Sequence, residues 1–392
     1  MILSNIILLA LSSAANNRHD LDQDRTTCEI VQLRGFPCEI HPVATYDGYI
    51  VELHRIPNPG GKPVVLIPGL VGNSAEFVMA TTEVSKDPRV IGRNMGLELH
   101  KQGFDVWMIN NRGSKYGMGH LWLNPEDKQF WKFCFDDISK NDVPAFLDYI
   151  VRFTGFKKVH VIGHSQGTSV IFALLSQSQE YDHTIETFIA ISPITRIKNA
   201  RTLFKRVISM LQSRFKRNGG PVFTRKSRVS GNRIGLACEL PISRQMCVLV
   251  YSFMIGPNFS QLDKKRIGVY TGHMPTTTAA QNLIHFHQVF KTNRFQKFDH
   301  GSEEKNLIKY GSPEPPEYDL KRITHPNMYL IYGLNDFYMS QDGVESLKTD
   351  LKHAREFYEL SDPKANHMDP LIGLTTAVEV NRKVIGILKR YP

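Results

Sequence analysis

Residues 163–167 read Gly-His-Ser-Gln-Gly, a serine with a glycine two places to either side. An apolar run, Val159 to Ile162, comes before it, and small and apolar residues suited to a helix follow. One reading is a tight turn and nothing more. The other is a strand-to-helix elbow that lifts Ser165 out of a sheet as a nucleophile. A serine hydroxyl is a poor nucleophile at neutral pH, so this second reading needs a base beside it and donors for the oxyanion that attack creates. Gly163 and Gly167 would let the chain turn sharply without side-chain clashes. The N–H of Gln166, at the start of the helix, would be one oxyanion donor. The flanking strand and helix are the context the motif requires, and they favour the nucleophile.

The other parts of such a site belong at the ends of other strands. Leu70 follows the Gly69 turn in "LIPGLVGNSAEFV" (66–78) and has the position of a second donor, although Pro-Gly marks an ordinary turn equally well. On this architecture an acid and then a histidine follow the serine. Asp336 sits just past the apolar run "MYLIYG", and His367 lies in "SDPKANHMDP", between the strand-like "REFYEL" and the last helix. His367 would take the serine proton, and Asp336 would fix its tautomer and stabilise the imidazolium. The chain has 15 histidines, and His325 and His353 compete for the base. Asp342, Asp362 and Asp369 compete for the acid. Order and position favour Asp336 and His367.

These residues need a scaffold. "KPVVLIPGL", "FDVWMINNRG", "VHVIGHSQG", "TFIAISPI" and "NMYLIYGLND" are short apolar runs suited to central strands of a mostly parallel sheet. Two further strands are expected about the Asp47-Gly48 hairpin turn. Residues 138–154 carry Ile138, Val143, Phe146, Leu147, Ile150 and Val151 at helical spacing, and a closing helix places Val380, Val384, Ile387 and Leu388 inward. Strands alternating with helices predict an α/β fold. Residues 196–325 break the rhythm and read as an inserted cap and lid between two parts of the core, 16–195 and 326–392. Between Arg201 and Arg228 no residue is acidic. That basic run is either a solvated face or a docking surface for anionic lipid.

At 392 residues and 41% hydrophobic, the chain is long and apolar enough for a large globular core. Its net charge of +10 favours anionic surfaces, or serves solubility alone. There is no zinc-ligand spacing, no Walker loop and no aromatic-basic pattern of single-strand binding, so no metal, cofactor or nucleic-acid partner is expected. "MILSNIILLALSSAA" (1–15) reads as a signal peptide, with Ser13 and Ala15 at small-residue cleavage positions. "MCVLVYSFMIG" (246–256) is too short to span a bilayer, so no transmembrane segment is expected. Asn258-Phe259-Ser260 is a glycosylation sequon. Of the five cysteines, Cys238 and Cys247 could close a small loop, as could Cys28 and Cys38; sequence alone leaves the connectivity open. "FWKFCFDD" suggests that Cys134 is a buried small hydrophobe.

The chain resembles the acid lipase family of α/β-hydrolases from about Cys28 to its end. The resemblance rests on "GFPCEIHPVATYDGYIVELHRIP", "GLVGNSAEFV", "FWKFCFDDISKNDVPAFLDYI", "GHSQGT", "VYTGHMPTTTAAQN", "FQKFDHGSEEKN" and "NHMD". It implies a hydrolase sheet with a helical cap and a mobile lid. It implies Ser165, Asp336 and His367 as the triad, Leu70 and Gln166 as oxyanion donors, and a disulfide between Cys238 and Cys247. The reaction implied is hydrolysis of triacylglycerols or sterol esters through an acyl-enzyme at a lipid–water interface, by a protein secreted or sent to lysosomes. Two departures stand out. Pro68 occupies the place where the family has His, and Cys28 and Cys38 are not usual family positions; we expect them to form an additional disulfide. The rival expectations are a short-chain carboxylesterase and a non-catalytic lipid-binding protein on the same fold.

Overall fold

In a computed structural model, the protein is described over residues 20–197 and 228–392, with positions 201, 206, 208–210, 213, 215 and 219–223 between them. The expected leader (1–15) and most of the basic run lie outside the described residues.

A nine-stranded sheet organises the molecule. Its strands are β1 (Glu39–Ala44), β2 (Tyr49–Ile56), β3 (Pro63–Ile67), β4 (Asp105–Met108), β5 (Gly119–His120), β6 (Val159–His164), β7 (Ile185–Ile191), β10 (Met328–Tyr332) and β11 (Glu356–Glu359). They lie in the order β1-β2-β4-β3-β6-β7-β10-β11, with β5 beside β2. The β1–β2 hairpin and the β2–β4 pair are antiparallel. From β4 to β11 every pairing is parallel. All residues of β3, β6 and β10 are buried, which is why they read as unbroken apolar runs: a parallel strand is covered on both faces.

Side chains alternate across the pleat. Val65, Ile67, Val161 and Phe188 point into one apolar layer, together with Phe146, Leu147 and Ile150 of helix α1 (Val143–Thr154). Val64, Leu66, Ile162 and Ile189 point into the other, with Val380, Val384, Ile387 and Leu388 of the closing helical segment. Each such side chain contributes roughly 1.5–3 kcal/mol when fully buried. Gly155, in the left-handed region at φ 76°, ends α1.

Between β7 and β10 the chain leaves the sheet. Helices α3 (Arg228–Glu239), α4 (Pro241–Ile255) and α5 (Ile267–His273) lie there, with the small antiparallel pair β8 (Pro221–Val222) and β9 (Thr278–Ala279). Helix α6 (Ala280–Thr292) behaves differently, because Leu283, Phe286, Val289 and Phe290 join the layer that holds Phe146. Cys238 and Cys247 are bonded and tie α3 to α4. Cys28 and Cys38 are bonded as well, and Cys134 is free and buried. Among the described residues no helix is long and apolar enough to cross a membrane.

Candidate active site

The nucleophile elbow follows from close backbone packing. β6 ends at His164 and helix α2 (Gln166–Gln177) begins two residues later. Ser165 between them is held at φ 53° and ψ −118°, a strained conformation for a side-chain-bearing residue. The glycines are required by space. A Cβ on Gly163 would lie 2.7 Å from the Gly167 carbonyl, and one on Gly167 would lie 2.3 Å from Ile67 O. Neither fits.

His367 and Asp336 reach the serine from loops beyond β11 and β10. His367 Nε2 lies 2.8 Å from Ser165 Oγ, and His367 Nδ1 lies 2.7 Å from Asp336 Oδ2. A carboxylate accepts, so Nδ1 carries the proton and the Nε2 lone pair faces the serine O–H. Asp336 Oδ1 accepts from the N–H groups of Tyr338 (2.8 Å) and Met339 (3.3 Å), which fixes the acid. The His367 carbonyl accepts from Ser192 Oγ (3.0 Å) and from His164 Nε2 (3.1 Å). All three side chains are buried.

The rival residues are engaged elsewhere. His325 pairs with Asp182 at 2.7 Å, and His353 and Asp342 are exposed. Asp362 and Asp369 share the amide of Asn258, whose Nδ2 donates to them at 2.9 and 2.8 Å. The sequon residue Asn258 is buried, its amide nitrogen held by those two carboxylates.

Leu70 and Gln166 flank the serine. Gln166 is the first residue of α2, so its N–H has no partner within the helix. Its Oε1 accepts from Asn282 Nδ2 at 2.8 Å, fastening the elbow to α6. Leu70 lines the same cavity as Ser165, and a Cβ on Gly69 would lie 3.1 Å from Ser165 Cβ. Pro68 follows directly on β3.

Above the serine opens a cavity of about 500 Å³. The cap helices supply much of its wall, including Ile234, Met246, Val250, Tyr251 and Met254. "MCVLVYSFMIG" is therefore not an ordinary buried helix: Met246, Val250 and Met254 line the cavity, and Met246, Leu249, Val250 and Phe253 are all exposed. The C-terminal end of α4 is stitched to the site. Ile255 O accepts from the N–H groups of both His367 (3.3 Å) and Phe337 (3.4 Å), and Gly256 O accepts from Asn366 Nδ2 at 2.9 Å.

Three groups escaped the sequence reading. Glu76 and His164 are buried beside the elbow with Glu76 Oε1 3.5 Å from His164 Nδ1. Glu76 was visible only as a lone acid in an otherwise neutral loop. Tyr251 puts a buried hydroxyl at the cavity wall, and burial pushes its phenol well above the usual range. A grouping with metal-ligand potential, Cys134, Asp136 and His285, also lies in the core with its ligand atoms within 4.8 Å of one another. Burial raises the Cys134 thiol, so it stays protonated, and Asp136 already accepts from Tyr318 Oη and the Phe298 N–H.

A parallel sheet with a serine elbow at the carboxyl end of its central strand, an acid and a histidine on later loops, and an inserted cap defines an α/β-hydrolase. Comparison with known proteins agrees. The family described as alpha/beta hydrolase fold matches residues 62–373, and the partial alpha/beta-hydrolase lipase region matches residues 27–81. The chain is 30% identical over 369 residues to gastric triacylglycerol lipase of Bos taurus, covering 92% of this chain and 90% of that protein. It is 30% identical over 381 residues to human lysosomal acid lipase/cholesteryl ester hydrolase, covering 95% and 92%. Among solved structures, a carboxylesterase of Bacillus subtilis superposes with a TM-score of 0.50 at 12% identity, covering 92% of this chain and 95% of that one, a likeness of fold alone. The chain belongs to the acid lipase family of α/β-hydrolases, a family of carboxylic ester hydrolases.

Proposed function

We propose that the chain hydrolyses esters of long-chain lipids, triacylglycerols or sterol esters, with Ser165 as nucleophile, His367 as base and Asp336 as the acid that orients it. The observation that carries this reading is the continuous hydrogen-bonded series Ser165–His367–Asp336 at the floor of an apolar cavity. His367 Nε2 takes the Oγ proton as Oγ attacks the ester carbon. The N–H groups of Leu70 and Gln166 hold the oxyanion. His367 returns the proton to the departing alcohol, and the acyl-enzyme remains. A water, deprotonated by the same nitrogen, then releases the fatty acid. The described cap displays Leu236, Leu240, Leu249 and Phe253 to solvent, apolar groups that suit contact with a lipid surface. The apolar leader and the two disulfides suit an oxidising route to secretion or lysosomes.

The test is hydrolysis of short- and long-chain triacylglycerol and cholesteryl ester emulsions from acid to neutral pH, with Ser165→Ala beside the wild type. Activity on long-chain emulsions, lost by about 10³-fold or more in the variant, is the expected result. Turnover of short soluble esters alone would make the protein a carboxylesterase. Equal inertness of two folded proteins would leave only lipid binding.

A further inference from the structure

We propose that Glu76 is a positioning residue for the reaction, holding the loop that carries Leu70 and coupling it through His164 to the loop that carries His367. The inference rests on the reading of Leu70 as an oxyanion donor. It starts from the peptide before that donor. The Gly69 N–H donates to Glu76 Oε1 at 2.8 Å, and the Gly69 carbonyl accepts from Asn111 Nδ2 at 3.1 Å. Both polar groups of Gly69 are thus fixed, and with them the direction in which the Leu70 N–H points. The residue after Leu70 resists this arrangement. Val71 has φ 56°, a left-handed conformation that a β-branched side chain disfavours. Such a loop stays in place only while its surroundings hold it.

Glu76 is suited to that task. It lies in the short 3₁₀ turn Ser74–Phe77, whose first residues are capped by Asn73 through Oδ1 to the Ala75 N–H. Its side chain is 2% exposed and lies at the wall of the serine cavity. One backbone N–H does not compensate a buried carboxylate. The second neighbour is His164 Nδ1, 3.5 Å from Oε1. The other nitrogen of that ring fixes its role. Nε2 faces the His367 carbonyl at 3.1 Å, and a carbonyl only accepts, so Nε2 carries a proton. Nδ1 is left to face the acid across 3.5 Å.

The consequence is a single buried link from oxyanion loop to base. It runs from the Gly69 N–H to Glu76, across to His164, and on to the His367 carbonyl. His164 is also the residue immediately before the nucleophile. Glu76 touches no reacting atom, so its contribution is to placement. Misplacement on the scale of 1 Å costs about 10²-fold in rate.

The experiment measures kcat and KM on a soluble butyrate aryl ester for wild type, Glu76→Gln, Glu76→Ala and Ser165→Ala, with thermal unfolding of each. In Glu76→Gln the amide oxygen can still accept from the Gly69 N–H, the contact that places the loop, whereas the carboxylate's pairing with His164 Nδ1, made through the same Oε1, is lost. We expect Glu76→Gln to keep kcat within about tenfold of wild type and Glu76→Ala to lose about 10²-fold, with KM changed by less than about threefold. A folded Glu76→Ala with wild-type kcat overturns the proposal. So does an equal loss in both variants, or a loss carried by KM. If Glu76→Ala does not fold, Glu76→Leu carries the same test, since it fills the space and still leaves the Gly69 N–H unanswered. Activity persisting in Ser165→Ala would instead overturn the triad itself, a separate failure.

Discussion

The edge of the sheet that carries the serine and the cap that closes over it are built on opposite principles. At the sheet edge the buried charges around Arg112 are matched. Arg112, just past β4, is fully buried, with Nε 2.8 Å from Asp142 Oδ1 and Nη1 2.6 Å from Asp47 Oδ2, and its guanidinium stacks 4.0 Å over the Tyr49 ring. In the described cap helices, by contrast, large apolar side chains face outward and an apolar cavity lies beneath them. The first arrangement gives a fixed constellation for chemistry. The second gives a surface and a channel whose energy depends on what lies against it. Matched buried charge sits beside the proposed triad, and exposed apolar surface sits over the cavity.

The largest effect should come from breaking the rigid side. Arg112→Ala leaves Asp142 buried without its partner, and losses of about 3–5 kcal/mol are usual for such cuts. The urea midpoint should fall steeply, with specific activity lost only in step with the folded fraction. A variant that keeps its midpoint would mean that the matched groups at the sheet edge do not set its rigidity, and the contrast with the cap would collapse.

A second test addresses the seam between the two regions. Asp369 begins the short helix Asp369–Ile372, and its Oδ2 accepts from Asn258 Nδ2 and from the Asn366 N–H, one residue before the base. Burial, reinforced by the nearby Asp362 charge, raises its carboxyl to about 7. In the unfolded chain it titrates near ~3.9. The folded state therefore holds this proton when the unfolded state has released it. The stabilisation is fully present below pH ~4 and is lost as pH rises through about 7. The melting temperature should therefore fall between pH 5 and pH 8, by an amount on the order of 2–4 kcal/mol in stability. Asp369→Asn, which mimics the protonated acid, should flatten that dependence. An unchanged pH slope in the variant would assign the effect to other carboxylates.

The same contrast explains what could be read from sequence. The elbow, the acid and the histidine were legible because each sits at the end of an apolar run, where strand pattern and chain order leave few alternatives. Asp336 follows "MYLIYG" and His367 follows "REFYEL", and the parallel register brings both ends to one edge. A sequon such as Asn258-Phe259-Ser260 records three residue types and not their exposure. Glu76, His164 and Tyr251 stayed hidden for a related reason. Their roles depend on contacts between segments far apart in the chain, and no spacing encodes those. The inward face of α4 was invisible too, since a helix lining a cavity and a helix filling a core use the same side chains.

The smallest expected effect separates the regions most finely. Tyr251 is the polar exception in the cap's lining: its hydroxyl is buried, and no hydrogen-bond partner lies within reach among the described residues. A buried, unanswered hydroxyl costs free energy, so removing it relieves strain that a matched hydroxyl would not carry. Tyr251→Phe should therefore raise stability by about 1 kcal/mol, read as a small upward shift of the melting temperature. The equivalent cut at the sheet edge, Tyr49→Phe, removes a hydroxyl that donates to the Phe130 carbonyl and should lower stability by a similar amount. Opposite signs for the same chemical change would express the difference between the two regions in one measurement. If both variants are destabilised, the Tyr251 hydroxyl is matched after all, and the cap lining is built as tightly as the sheet edge.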